Sequence, residues 1–163
     1  DILENNSWDP KRLQLHLDKV RQLQISSDLD KWINLHKPFT QVISFIKDAQ
    51  RDGFKIGIIS TKESIFTSKI LNKCKIYPEL VFGYKSGPKV DIISNLIKDY
   101  EIIGFIEDRK KTLLNITENN KTNQIRCFLA DWGYLKVSDR KDLPEKISLL
   151  KLKNLKDILA NLN

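Results

Sequence analysis

Short apolar runs alternating with segments of helical spacing limit the fold of this chain more than any other feature. The runs are Lys55 to Ile59, Leu80 to Phe82, Ile102 to Ile106, Ile125 to Leu129 and Ile147 to Leu150. Helices are predicted over Glu63 to Lys73, Pro88 to Tyr100 and Arg109 to Asn119, with a last one over Leu152 to Leu162. Continuous apolar runs of this length suit strands buried on both faces, and strands separated by helices pair in parallel. Right-handed crossovers then place helices on both sides of the sheet. The turns are marked by Gly53, Gly83, Ser86-Gly87-Pro88 and Gly133. The expected fold is α/β, a Rossmann-like parallel sheet flanked by helices.

Residues 1–36 read differently. Asp9-Pro10 has the form of an N-cap followed by proline at the first helical position. Leu13, Leu17, Val20 and Leu23 then recur at helical spacing. A segment around Trp32, Ile33 and Leu35 leads to Pro38. The next helix carries Val42, Ile43, Ile46 and Ala49 on one face, with Gly53 placed to end it. The expected division is a helical segment, 1–36, and an α/β core, 37–163.

Composition excludes several classes of function. No apolar run approaches the ~20 residues that span a bilayer. The first residues, including Asp1, Glu4, Asn5 and Asn6, are too polar for a signal peptide. Cys74 and Cys127 lie far apart without CxxC spacing, which predicts buried reduced thiols and a cytoplasmic setting. The net charge of +7 is carried mostly by scattered lysines with acids between them. That is a solvated surface, without the dense basic block or aromatic-interleaved stripe of nucleic-acid binders. Neither nucleic acid nor membrane is an expected partner. A chain that begins at Asp1 and contains no methionine is expected to be a fragment or a processed form.

Four segments fall at the carboxyl ends of predicted strands, where open α/β sheets bind ligands. Gly104-Phe105-Ile106-Glu107-Asp108-Arg109 is the most specific of them, an apolar run ending in adjacent acids. Two carboxylates there suffer desolvation and mutual repulsion, and a hard cation such as Mg²⁺ relieves both. The plainer reading is a helix N-terminus that favours acids. Ile58-Ile59-Ser60-Thr61-Lys62 ends a strand in two hydroxyls at a helix start, which suits a phosphate oxygen or ordinary N-capping. Lys85-Ser86-Gly87-Pro88-Lys89 offers lysines that neutralise an anion or simply face water. In Asp131-Trp132-Gly133-Tyr134, Asp131 is a further candidate acid and the aromatics are candidate pocket walls or turn packing. Asp28-Leu29-Asp30 follows residues too polar for a central strand, so it reads as a helix cap and first-turn acid. His16 and His36 have no partner at a recognisable spacing and read as structural.

Taken in order, these segments resemble the haloacid dehalogenase superfamily of phosphohydrolases. They are most similar to its phosphoglycolate-phosphatase-like branch and, through Glu-Asp-Arg and Asp-Trp-Gly-Tyr, to a cyanobacterial and plant subgroup. The stretch from His36-Lys37-Pro38-Phe39 through Gly53-Phe54-Lys55 to Lys62 looks like the approach to the second motif, whose hydroxyl falls on Ser60. Ser86-Gly87-Pro88-Lys89 looks like the third motif, its lysine mapping to Lys89, with Lys85 as the alternative. Phe105-Ile106-Glu107-Asp108 resembles the fourth, whose acid binds Mg²⁺ and corresponds to Asp108. The resemblance implies a Mg²⁺-dependent phosphatase acting on a small phosphate ester through an aspartyl-phosphate. Ser60 and Lys89 would serve the transferring phosphoryl group, Thr61 and Lys62 the substrate, and Asp108 with Glu107 the metal. It also implies that the 1–36 helices are the tail of a cap domain.

The chain departs from the family in two places. Thr112 stands where many relatives have a second acid. The first motif, a strand ending in D-x-D that supplies the nucleophile, has no counterpart. A sheet buried on both faces does not readily lose its middle strand. The native protein is therefore expected to carry that strand upstream of Asp1, and this chain alone is expected to be inactive. The alternative is a non-catalytic binding module that kept the fold and lost the nucleophile.

Overall fold

A computed structural model describes residues 8–162. It begins with α1 (Pro10–Ser27), whose first turn is capped by Asp9 accepting the Lys11 N–H. Asp28 then caps α2 (Leu29–Asn34) through the Lys31 N–H, and Asp30 sits in its first turn, as the sequence predicts. Helix α3 (Thr40–Arg51) ends at Gly53, whose φ of 92° is a conformation that a side chain disfavours.

The α/β part runs β1 (Gly57–Ile59), α4 (Ser64–Lys73), β2 (Leu80–Phe82), α5 (Lys89–Leu96), β3 (Gly104–Glu107), α6 (Lys110–Glu118), β4 (Arg126–Ala130), β5 (Ile147–Leu150) and α7 (Leu155–Leu162). Each of the five expected strands is present and every pairing is parallel. The first is shorter than its apolar run. Its ladder exists only against β2, from Gly57↔Leu80 to Ile59↔Phe82, so Lys55 and Ile56 have no partner strand. The third and fourth are displaced toward their carboxyl ends, which brings Glu107 inside β3 and Ala130 inside β4. The helix expected over Pro88 to Tyr100 stops at Leu96, and the last helix is preceded by a separate turn of 3₁₀ helix, Leu152–Asn154.

The expected continuous sheet is instead two, β1-β2 and β3-β4-β5. Among the described residues no strand bridges β1 to β3, so one edge of each lacks a β partner. Helices nonetheless cover both faces. Ile93 of α5 and Leu113 and Ile116 of α6 pack with Cys127, Leu129 and Ile147 on one side. Phe45 of α3 joins Leu150, Leu155 and Ile158 on the other. Trp32 and Ile33 of α2 close on Phe66 of α4 in a smaller cluster. The helix predicted from the spacing of Leu13, Leu17, Val20 and Leu23 is present as α1, and on it Leu17, Val20 and Leu23 are exposed. Its buried residue is Asp18, held by Gln14 at 3.0 Å and Arg21 at 2.7 Å. No described helix is long and apolar enough to cross a membrane.

Candidate functional site

A cleft of about 1510 Å³ opens between β1 and β3. The strands flanking it run in the same direction, as two contacts establish. Lys55, just before β1, lies 5.4 Å above the Tyr100 ring, which precedes β3. At the other end Lys89, which follows β2, forms an ion pair with Glu107 at the end of β3. Since β2 is parallel to β1, the carboxyl ends of β1, β2 and β3 share one mouth of the cleft.

Ser60, Thr61, Lys89, Glu107 and Asp108 all line this cleft. Ser60 is fixed by its backbone, donating its N–H to Phe82 O at 2.9 Å, while its Oγ accepts the Lys62 N–H at 3.0 Å. It does not cap α4, whose N-cap is Glu63. Lys62 does not line the cleft. Its ammonium is half-buried and held below the usual lysine range, first by desolvation and then by the neighbouring Arg21. Lys85 does not line it either; it reaches into solvent and pairs with Glu63. Of the two candidate lysines, only Lys89 stands at the acid pair.

Glu107 is 7 % exposed. Desolvation is the strongest influence on its carboxyl and pushes the pKa up; Lys89 opposes this and Asp108 adds to it, for a net rise. The Arg109 N–H donates to its other oxygen at 3.3 Å. Asp108 has a different partner, accepting the Tyr134 N–H at 3.0 Å. Gly133 makes this approach possible, since a Cβ there would lie 2.1 Å from the Asp108 Cβ. The two acids are thus close enough to repel and to share a hydrogen bond, while each also has a partner of its own. Asp131, a candidate acid from the sequence, is instead paired with Arg140 at 2.6 Å and does not line the cleft. Trp132 and Tyr134 do line it, Tyr134 at an exposed rim.

The donor set suits Mg²⁺, which commonly takes one or two carboxylates and completes its shell with phosphate oxygens and water. Glu107 and Asp108 are the carboxylates that could hold it. Among the described residues no group of three or more His, Cys, Asp or Glu is gathered that could hold a metal by protein ligands alone. Sequence reasoning missed two contacts at the site, Lys89 with Glu107 and Gly133 with Asp108. Both are long-range, and only the glycine in Trp132-Gly133-Tyr134 left a local sign. Compared with protein-family models, curated proteins and solved structures, the chain matches none.

Proposed function

We propose that the mouth of the β1–β3 cleft is a phosphoryl-binding site of the haloacid-dehalogenase type, part of a Mg²⁺-dependent phosphatase for a small phosphate ester. The observation that carries the reading is the convergence of Ser60, Lys89, Glu107 and Asp108, from three separate elements, at one strand-end mouth. A hydroxyl and an ammonium complement phosphoryl oxygens, and the two acids complement a divalent cation. When bound, Mg²⁺ supplies charge neutralisation at the phosphoryl group. The protein's own part is positioning: Ser60 is pinned by β2, and Lys89 is held at the mouth by Glu107. Covalent hydrolysis further requires an aspartate between β1 and β3.

Calorimetry of inorganic phosphate binding with and without Mg²⁺ tests the proposal. Binding is expected to require Mg²⁺ and to weaken about tenfold in Ser60→Ala and Asp108→Asn, a loss of ~1.4 kcal/mol each. The same chain is expected not to turn over p-nitrophenyl phosphate. Phosphate binding indifferent to Mg²⁺ and to both variants would overturn the site. Robust hydrolysis abolished by Asp108→Asn would overturn the requirement for a further aspartate.

A further inference from the structure

We infer that the rim of the β1–β3 cleft beside Asp108 is a ring-binding subsite, where the Tyr134 side chain stacks on a planar aromatic group carried by the alcohol part of a phosphate monoester. The inference rests on the phosphoryl site proposed above and names the class of ester which that site takes.

Tyr134 is fixed through its backbone and left open at its side chain. Its N–H donates to Asp108 Oδ2 at 3.0 Å, so the ring lies no further from that acid than one tyrosine side chain reaches. The loop that presents it is braced on both sides. Before it, the Gly133 N–H donates to Ala130 O at 3.1 Å and Gly133 lies against Asp108. After it, Asp139 accepts the Lys136 N–H at 2.9 Å, and Arg140 ties the same turn back to Asp131. A ring held on a braced loop gives up little freedom when a ligand stacks on it. Yet Tyr134 is 97 % exposed, and among the described residues it meets no second ring and no cation.

The other tyrosines differ. Tyr84 and Tyr100 each carry a lysine over the ring. Tyr77, exposed like Tyr134, lies before β2 and does not line the cleft. A single exposed aromatic residue is ordinary on a protein surface. Tyr134 is set apart by a combination: a ring without a partner, a braced backbone, and attachment to one of the two acids of the mouth.

The surroundings define the ligand. Trp132 also lines the cleft, but it packs against Phe45 and Leu150 and so serves as wall. Arg109, Lys111 and Lys136 line the cleft from exposed positions. Their charge favours an anionic ligand over a neutral aromatic one. Aromatic rings attract one another in offset or edge-to-face arrangements, and a nucleobase offers a π-face as a phenyl ring does. The ligand is therefore a phosphate monoester with its ring on the ester oxygen or one sugar further on, an aryl phosphate or a nucleotide. A purely aliphatic ester leaves Tyr134 unused.

The test is calorimetry of the whole chain in Mg²⁺ with phenyl phosphate, adenosine monophosphate, glycerol phosphate and inorganic phosphate. The better of the two ring-bearing esters is expected to bind about tenfold tighter than glycerol phosphate. Which of them is tighter tells whether the ring sits on the ester oxygen or one sugar away, and either result supports the subsite. Tyr134→Ala is expected to erase the preference with an unchanged circular dichroism spectrum, and Tyr134→Phe to keep it. Glycerol phosphate binding as tightly as both ring-bearing esters, or a preference that survives Tyr134→Ala, would overturn the inference. Inorganic phosphate that still binds in that case leaves the phosphoryl site standing. If no phosphate compound binds, the phosphoryl site itself fails and the subsite with it.

Discussion

Replacing Lys89 by methionine isolates the electrostatics of the acid pair. The variant keeps the length of the side chain and removes the charge that faces Glu107, whose side chain is 5 % exposed. Breaking a buried pair from one side costs ~3–5 kcal/mol when the remaining charge has no escape. Glu107 does have an escape, because it can take up a proton. Its ordinary value is 4.5, so at pH 7 protonation costs ~3.4 kcal/mol and at pH 5.5 ~1.4 kcal/mol. The charge penalty of Lys89→Met cannot exceed those figures at those pH values.

The sign follows from proton linkage. A carboxyl whose folded pKa is raised contributes stability that is complete below its unfolded value and is lost as the pH rises through its folded value. In the intact protein Lys89 opposes that rise; without it, desolvation and Asp108 act together and the window of loss extends upward. Urea unfolding followed by tryptophan fluorescence should give a penalty that rises with pH, by at most ~1.36 kcal/mol per pH unit, and levels off once Glu107 is ionised in the variant as well. Adding Glu107→Gln in the same background should abolish the slope. A penalty equal at every pH would refute the claim that Glu107 depends on Lys89 for its charge.

Two further outcomes follow from single contacts. Gly133→Ala places a Cβ 2.1 Å from the Asp108 Cβ and 2.7 Å from its Oδ2, so it should destabilise by ~1–3 kcal/mol. Because the nearest clash is with Cβ, Asp108→Gly should relieve the penalty in a double-mutant thermal melt and Asp108→Ala should not; strictly additive losses would contradict the contact. The thiols should separate as well. Burial pushes Cys127 up to about 11, whereas Cys74 is partly exposed. Ellman's reagent should titrate Cys74 in the native protein and Cys127 only after unfolding, and equal native rates would exclude the described packing.

Much of the α/β order was legible because each strand is a short apolar run bounded by turn residues. Leu80–Phe82 and Ile147–Leu150 appear at their predicted bounds because pairing extends along the whole run. Lys55 and Ile56 fall outside β1 because strand length depends on a partner, and β2 offers three residues. Caps were readable at Asp9 and Asp28, where one side chain satisfies one nearby N–H. The α1 spacing marked its helix correctly, but periodicity does not say what packs on a face, and Leu17, Val20 and Leu23 meet solvent. Asp131 misled for a similar reason, because its partner Arg140 comes from a later turn of the chain.

The same distinction changes the meaning of Glu107-Asp108. In the sequence the two acids form one feature, and adjacency suggested one shared ligand. In the fold each has its own counterpart, an ammonium for Glu107 and a backbone N–H for Asp108, and both counterparts are remote in sequence. Burial first, and then the hydrogen bond and repulsion between the two acids, still raise Glu107. The useful unit is therefore a set of charges: two carboxylates offset by one lysine at the mouth of a slot. The Lys89–Glu107 pair thus opposes the desolvation of a buried acid, and the loop from Gly87 to Lys89 is what sets it against β3.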